Sequence, residues 1–314
     1  MVTSRKAVRA KWRAPAPPRP DSRFALKVGP GNFVLAGLPD RCWPVSMRIL
    51  VTFAVDAEFA PWRRRHAFIR DAISIPDPPM NRPFYERFEG NVYGNNVDVL
   101  LTGIGWEDLF TNIATKALRD LLKKKPDFCI STGLAGGLNE ELRLGEIVAA
   151  TRVILSRKDE KVFSHKRLLK LAEACGARVV STMITETHIV GETSAKATLS
   201  TFGDCVEMES YYVLQSATGT QIPAIAVRAI SDHRTHELPL DFNRILERNG
   251  AVKKRQLIGE LVHHPLGLPG LIRFGWQSWR ATHSLADFLD EFLLSLPEYG
   301  GRVAAAAYGG MATG

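Results

Sequence analysis

The chain has 314 residues, of which 45% are hydrophobic and 24% charged, enough to bury a sizeable core as one or two domains. No apolar run reaches the roughly 18 residues of a membrane-spanning helix, and no apolar secretory signal opens the sequence. Four widely spaced cysteines, Cys42, Cys129, Cys175 and Cys205, form no Cys-x-x-Cys pair. They predict reduced thiols in a cytoplasmic protein.

The net charge of +8 is concentrated in residues 1–46. Nine Lys and Arg residues stand there against Asp21 and Asp40, a charge of +7, so the rest of the chain carries +1. Seven of the 18 prolines also lie in this segment, which predicts a disordered arm. Met47 precedes a strand-like run, so we expect Met47 to be the natural start of the protein and the arm to be an extension added by the gene model. An arm that binds RNA or anionic lipid is the alternative, and the nearly neutral charge of the remaining chain argues against a nucleic-acid partner.

From Met47 onward, strand patterns alternate with helix patterns. Strands are predicted over 48–54, 97–102, 128–132, 146–155, 178–184 and 222–230. Helices are predicted from Glu58 with Pro61 in the first turn, and over 107–124, 167–175, 210–218 and 245–262, with a hairpin-like pair around Gly90 within 84–93. This order predicts an α/β domain over residues 47–262, with a mixed, largely parallel twisted sheet and helices on both faces.

Residues 263–314 form a predicted helical extension with a flexible tail. One helical stripe consists of Leu285, Leu289, Phe292 and Leu296. We expect it to pack on the body or on a second subunit. The alternative is a helix lying on a membrane, supported by Leu271, Ile272, Phe274, Trp276 and Trp279. The acidic residues beside the stripe argue against anionic membranes.

Acidic residues follow two short apolar runs, at Glu207, Glu209 and Asp232. Ligands of α/β sheets sit beyond the carboxyl ends of strands, so these acids are candidates for chemistry; helix N-terminal acids are the alternative reading. A glycine-rich turn over 133–137 follows another strand and could let backbone N–H groups approach a ligand.

Several common motifs are absent from the sequence. Residues 103–108 lack the third glycine of a dinucleotide fingerprint, and neither a GxxxxGK[ST] loop nor a GxSxG elbow occurs. His233 and His236 lack a third ligand, so we predict no metal and no cofactor.

Four segments together resemble the purine nucleoside phosphorylase/nucleosidase superfamily: the first strand with Glu58, then residues 131–138, 206–209 and 227–232. The likeness is greatest to the methylthioadenosine/adenosylhomocysteine nucleosidases, and the branch of hopanoid-associated phosphorylases is a further candidate. The resemblance implies a three-layer phosphorylase/hydrolase-like fold. It also implies a purine nucleoside as small-molecule substrate and a homo-oligomer, with a dimer favoured.

The resemblance also implies roles for individual residues. Asp232 would protonate purine N7, and Glu58 would activate the attacking water. Glu209 would hold the ribose hydroxyls, with Met208 under the sugar. The base would stack on His188, and the backbone of Ile189 would read its edge. The remaining predicted substrate-binding residues are Glu207, Ser231, Gly133 and Leu134.

The choice between hydrolysis and phosphorolysis depends on a phosphate pocket. Phosphorylases of the superfamily place arginines where this chain has Glu58 and Ser131, and a carboxylate would repel phosphate, so we favour water. Leu134 replaces the usual hydroxyl, which predicts a larger or more apolar 5′ substituent. An arginine run at 63–65 could still bind phosphate as a co-substrate. The alternatives are a phosphorylase acting on lipid-linked adenosine and a non-catalytic nucleoside binder.

Overall fold

The structure is a computed structural model that describes residues 46–71, 85–105, 113–156, 158, 160–247, 250–263 and 267–296. The predicted arm, apart from Ser46, and the first residues of the predicted helix 107–124 lie outside the described residues. The strands are β1 Arg48–Phe53, β2 Ile69–Arg70, β3 Glu86–Val92, β4 Asn95–Leu101, β5 Phe128–Ser131, β6 Leu134–Gly137, β7 Ile147–Leu155, β8 Lys161–Phe163, β9 Arg178–Thr185, β10 Cys205–Glu207 and β11 Ala224–Asp232. The helices are α1 Asp56–Arg63, α2 Ile113–Lys123, α3 Lys166–Ala174, α4 Thr193–Leu199, α5 Ser210–Gly219, α6 Phe242–Ile245, α7 Lys254–His263 and α8 Gly267–Leu294.

The described strands form one 11-stranded sheet in the order β2-β3-β4-β1-β5-β11-β6-β10-β9-β7-β8. Strand β1 pairs in parallel with β4 and β5, and β11 pairs in parallel with β5 and β6. An antiparallel pairing between β11 and β7 closes the second half of the sheet into a ring of β11, β6, β10, β9 and β7. The sheet is therefore mixed, as predicted, and β11 is buried along its whole length at the centre.

The core lies on both faces of the sheet because the strand residues alternate in direction. Ile49, Val51 and Phe53 of β1 join a cluster with side chains of α1, α3 and α8. Leu50, between them, joins a second cluster with side chains of α2 and α5. Helices therefore cover both faces, which confirms the predicted α/β layering.

The predicted hairpin around Gly90 is wrong. Gly90 lies inside β3 and pairs with Val97, and the turn to β4 is at Tyr93 and Gly94. Both turn residues have positive φ, 52° and 82°, which is typical of a two-residue hairpin turn. Gly90 instead accommodates Phe68, whose ring would lie 2.7 Å from a Cβ at that position.

Two other elements have bounds that differ from the predicted ones. The predicted helix over 245–262 is interrupted, since α6 ends at Ile245 and α7 begins at Lys254. The intervening chain makes a bridge between Leu246 and Val252, and Gly250 has a φ of 78°. The predicted turn over 133–137 is also mostly a strand, β6, with the turn confined to Gly133.

Helix α8 packs against the α/β domain, as we expected for its apolar stripe. Its stripe of Leu285, Leu289 and Phe292, with Leu296 just beyond, is buried in the same cluster as β1 and α1. Its first half differs, because it exposes Leu268, Ile272, Trp276 and Trp279. Among the described helices, none is long and apolar enough to cross a bilayer.

Candidate active site

One cavity of about 480 Å³ contains all three predicted carboxylate residues, Glu58, Glu209 and Asp232. Glu58 lies in the first turn of α1, Glu209 follows β10, and Asp232 ends β11. The cavity is also lined by Leu134, His188, Ile189, Met208, Glu207 and Ser231. These side chains come from distant parts of the sequence and converge although β10 and β11 run in opposite directions, since β10 pairs antiparallel and β11 pairs parallel with β6, the strand between them.

Glu58 is held by backbone N–H groups on both of its oxygens. Leu134 N–H donates to Oε1 at 2.8 Å, and the N–H groups of Ala54 and Val55 donate to Oε2 at 3.0 and 3.4 Å. Burial nevertheless raises the pKa of Glu58, with these hydrogen bonds and the charge of Arg228 acting in the opposite direction. A raised pKa makes the carboxylate of Glu58 a stronger base toward water.

Gly133 lies in the turn between β5 and β6, directly beside the carboxylate of Glu58. Its φ is +146°, and a Cβ there would lie 2.8 Å from Glu58 Oε1. Gly133 therefore leaves the space that the carboxylate occupies, and its binding of substrate stays a prediction.

Glu207 lines the cavity, but its carboxylate is saturated by protein groups. Oε2 accepts from the N–H groups of Glu209 and Ser210 at 2.9 and 2.8 Å and from Arg228 Nη2 at 2.5 Å. Oε1 accepts from the hydroxyl of Thr185. Glu207 and Arg228 thus form a buried ion pair at the wall of the cavity, a partnership that sequence patterns did not reveal.

Glu209 is less completely paired than Glu207. Its Oε2 lies 3.7 Å from Arg228 Nη2, and the residue is buried. Burial raises the pKa of Glu209 well above its usual range, and the negative charge of Glu207 adds to this shift. Arg228 opposes the shift, and the negative charge of Glu58 adds to it.

Asp232 is hydrogen-bonded on both oxygens. Ser231 Oγ donates to Oδ1 at 2.7 Å, and the ammonium of Lys196 lies 2.5 Å from Oδ2. Lys196 is fully buried, so Asp232 is half of a buried ion pair, a partnership that the sequence analysis did not predict. Gly136 lies alongside, where a Cβ would be 3.2 Å from Asp232 Oδ2.

The predicted base-binding turn also lies at the cavity. The side chain of His188 is half exposed, with Nδ1 3.8 Å from Glu186 Oε2. The backbone of Ile189 is paired with a residue that the sequence analysis missed, because Asn243 Oδ1 accepts from its N–H at 2.8 Å and Asn243 Nδ2 donates to its C=O at 2.9 Å.

Helix α8 supplies a wall of the cavity. Its lining residues are Phe274, Gly275, Ser278, Trp279 and Thr282.

Of the arginine run at 63–65, Arg63 pairs with Asp56, and Arg65 pairs with Asp287 and Asp290. Arg64 is exposed and lines the cavity as well.

In the part of the chain that the structure describes, no group of three or more His, Cys, Asp or Glu side chains is arranged to hold a metal ion. The rings of His233 and His236 lie 5.9 Å apart. Three of the cysteines, Cys129, Cys175 and Cys205, are free thiols.

This fold and cavity define the class of protein. A model of the phosphorylase superfamily matches residues 48–258, so the chain belongs to that superfamily and is an enzyme. The match ends before α8, which therefore contributes to the cavity from outside the matched region.

Individual relatives are nucleosidases. The chain is 30% identical over 199 residues to the 5′-methylthioadenosine/S-adenosylhomocysteine nucleosidase of Bacillus subtilis, covering 55% of this chain and 83% of the relative. The corresponding nucleosidase of Neisseria meningitidis, solved with methylthio-immucillin-A, is similar in fold with a TM-score of 0.58 and 17% identity, over 79% of this chain and 99% of that one. Futalosine hydrolase of Helicobacter pylori has a TM-score of 0.54 and 14% identity, over 79% and 97% of the two chains. The three-layer fold expected from the sequence is thereby confirmed.

Proposed function

We propose that this enzyme hydrolyses the N-glycosidic bond of an adenosine-type nucleoside. The observation that carries the proposal is the single cavity lined by Glu58, Glu209 and Asp232. The names of the relatives support the same chemistry, since they are nucleosidases of 5′-methylthioadenosine and S-adenosylhomocysteine.

The bond from the sugar to purine N9 breaks, and its electron pair goes to the base. The enzyme form that reacts carries a proton on Asp232, which gives it to N7, so the base leaves as a neutral molecule; Asp232 regains a proton through solvent after Glu58 releases the one it takes from water. Water adds its oxygen to the anomeric carbon and loses a proton to Glu58, whose pKa is raised by burial. An acid and a base acting on opposite sides of a glycosidic bond is the arrangement of other glycosidases.

The other residues bind the substrate in this proposal. Glu209 accepts hydrogen bonds from the ribose hydroxyls, and Met208 packs under the sugar. His188 stacks on the purine, and the Ile189 backbone reads its edge. All four line the cavity.

A phosphorylase acting on lipid-linked adenosine is the second candidate. Two observations favour it. Arg64 lines the cavity and could bind phosphate, and the α8 wall offers Phe274 and Trp279 to an apolar 5′ substituent. Glu58 in the same cavity opposes it, because two negative groups would repel each other.

Product analysis in the presence and absence of phosphate tests the proposal. With 5′-methylthioadenosine, we expect adenine and free methylthioribose in phosphate-free buffer. A requirement for phosphate, with a sugar 1-phosphate as product, would favour the second candidate. Binding of the nucleoside without any adenine release would indicate a non-catalytic binder.

A further inference from the structure

Lys196 is a fully buried cation whose hydrogen-bonding capacity is entirely used. Its ammonium has three donors, and it contacts Asp232 Oδ2 at 2.5 Å, the carbonyl of His236 at 2.8 Å and the carbonyl of His233 at 3.4 Å. A buried lysine is expensive unless it is paired, so its presence at the end of β11 requires an explanation.

The contacts of Lys196 fix Asp232 from one side, and Ser231 fixes it from the other. Ser231 Oγ bonds Oδ1 at 2.7 Å, and Ser231 Oγ also lies 3.3 Å from the carbonyl of Ala135 in β6. Asp232 is thus tied to α4 through Lys196, while the single hydroxyl hydrogen of Ser231 holds its other oxygen. Its carboxyl group is held in one orientation at the wall of the cavity.

We propose that Lys196 is a positioning residue for purine protonation, which orients Asp232 and compensates the charge left on it. This inference rests on the proposed function. When the proton passes from Asp232 to N7, a carboxylate remains in a buried position. The ammonium at 2.5 Å is then a preformed partner for that negative charge.

A purely structural role is the competing explanation, because Lys196 also joins α4 to the chain after β11. The two roles differ in their dependence on the leaving group. Adenine needs a proton to depart, whereas nitrophenolate departs as a stable anion. A defect in protonation therefore affects an adenine nucleoside but spares a p-nitrophenyl riboside.

The test measures kcat/KM for 5′-methylthioadenosine and for p-nitrophenyl β-riboside in the full chain. For Lys196→Met we expect a loss of about 100-fold on the adenine nucleoside and less than about tenfold on the nitrophenyl riboside. Lys196→Arg, which keeps a cation, should recover part of the loss. Equal losses on the two substrates, or no loss on either, would overturn the inference.

Lys196→Met leaves Asp232 buried without its cation and could fail to fold. The double variant Asp232→Asn with Lys196→Met removes both charges and provides the second measurement. We expect the double variant to release adenine as fast as Asp232→Asn alone, because the two changes remove the same function. A rate of adenine release lowered by the product of the two single-variant losses would contradict this expectation. Absence of adenine release by the wild-type enzyme would instead show that the proposed function itself is wrong.

Discussion

The Asn243 carboxamide forms a pair of hydrogen bonds with the backbone of Ile189, the group proposed to read the purine edge. The N–H of Ile189 donates to Oδ1 at 2.8 Å, and its C=O accepts from Nδ2 at 2.9 Å. Adenine offers an acceptor at N1 and a donor at its amino group in the same side-by-side order. Asn243 therefore competes with the base for Ile189.

Replacing Asn243 should strengthen binding of adenine. The backbone of α6 is held by buried Phe242, whose ring is 4.9 Å from that of Phe274, so the competing element is the exposed Asn243 side chain. In Asn243→Ala the competition disappears, and we expect the Kd of adenine, measured by calorimetry, to fall about tenfold. Asn96→Ala, an exposed asparagine on β4, is the control. A weaker or unchanged affinity in Asn243→Ala would show that Asn243 does not compete.

Gly133→Ala should disable the base that activates water. The added Cβ would lie 2.8 Å from Glu58 Oε1, so the carboxylate must move. Gly94 is a matched control, since its φ is also positive at +82° but nothing lies within 4 Å of its Cβ position. We expect Gly94→Ala to cost about 1–2 kcal/mol of stability with normal adenine release. Gly133→Ala should lose most of its adenine release, and equal activity in the two variants would contradict the clash.

Glu209→Gln should stabilise the protein in a pH-dependent way. Burial raises the pKa of Glu209 well above 4.5 in the folded state, so its contribution to stability is present at low pH and is lost as pH rises through the raised value. Glutamine stays neutral. The melting temperature of the variant relative to wild type should therefore increase from acidic to neutral pH. Glu173→Gln, at an exposed position on α3, is the control, and a pH-independent difference would refute the assignment.

Peripheral membrane contact remains a prediction, and the structure locates where to test it. Residues 267–286 contain Arg273 and Arg280 but no acidic residue, and Asp287 and Asp290 pair with Arg65. The argument that acidic residues oppose binding to anionic membranes therefore does not apply to the exposed first half of α8. We expect flotation with anionic vesicles, reduced by Ile272→Ser.

Phe202→Ser is the matched control for the vesicle experiment. Phe202 is 63% exposed and Ile272 67%, so the two changes remove similar exposed apolar surface, but Phe202 lies outside α8. Flotation that is equally reduced by both changes, or absent in the wild type, would rule out a specific contact through α8.

The sequence predicts the three cavity carboxylates because their positions follow a general rule. Asp232 ends β11, Glu209 follows the last residue of β10 by two positions, and Glu58 lies in the first turn of the first helix after β1, so each acid stands where a strand ends or a helix begins. A shared sheet edge does not bring them together, because β10 and β11 run in opposite directions. The layered α/β fold follows equally from the alternation of strand and helix patterns. Their proposed roles depend on the family resemblance and await the experiments above.

The partners of these acids could not be predicted. Lys196 meets Asp232 across 36 residues, and Asn243 meets Ile189 across 54, so no local spacing links either pair. The one weak signal is that Lys196 is the only charged residue between Glu192 and Asp204. Packing of α4 against β9 and β10, and of α6 against α7 and α8, brings these side chains to their partners.

Adenine release by Glu58→Gln tests the central claim most directly. Glutamine preserves the size of the side chain but cannot take a proton from water. In phosphate-free buffer with 5′-methylthioadenosine, we predict that the wild-type enzyme releases adenine and that the variant does so about 10²–10⁴-fold more slowly while remaining folded. Equal rates of adenine release by the two proteins would contradict the account.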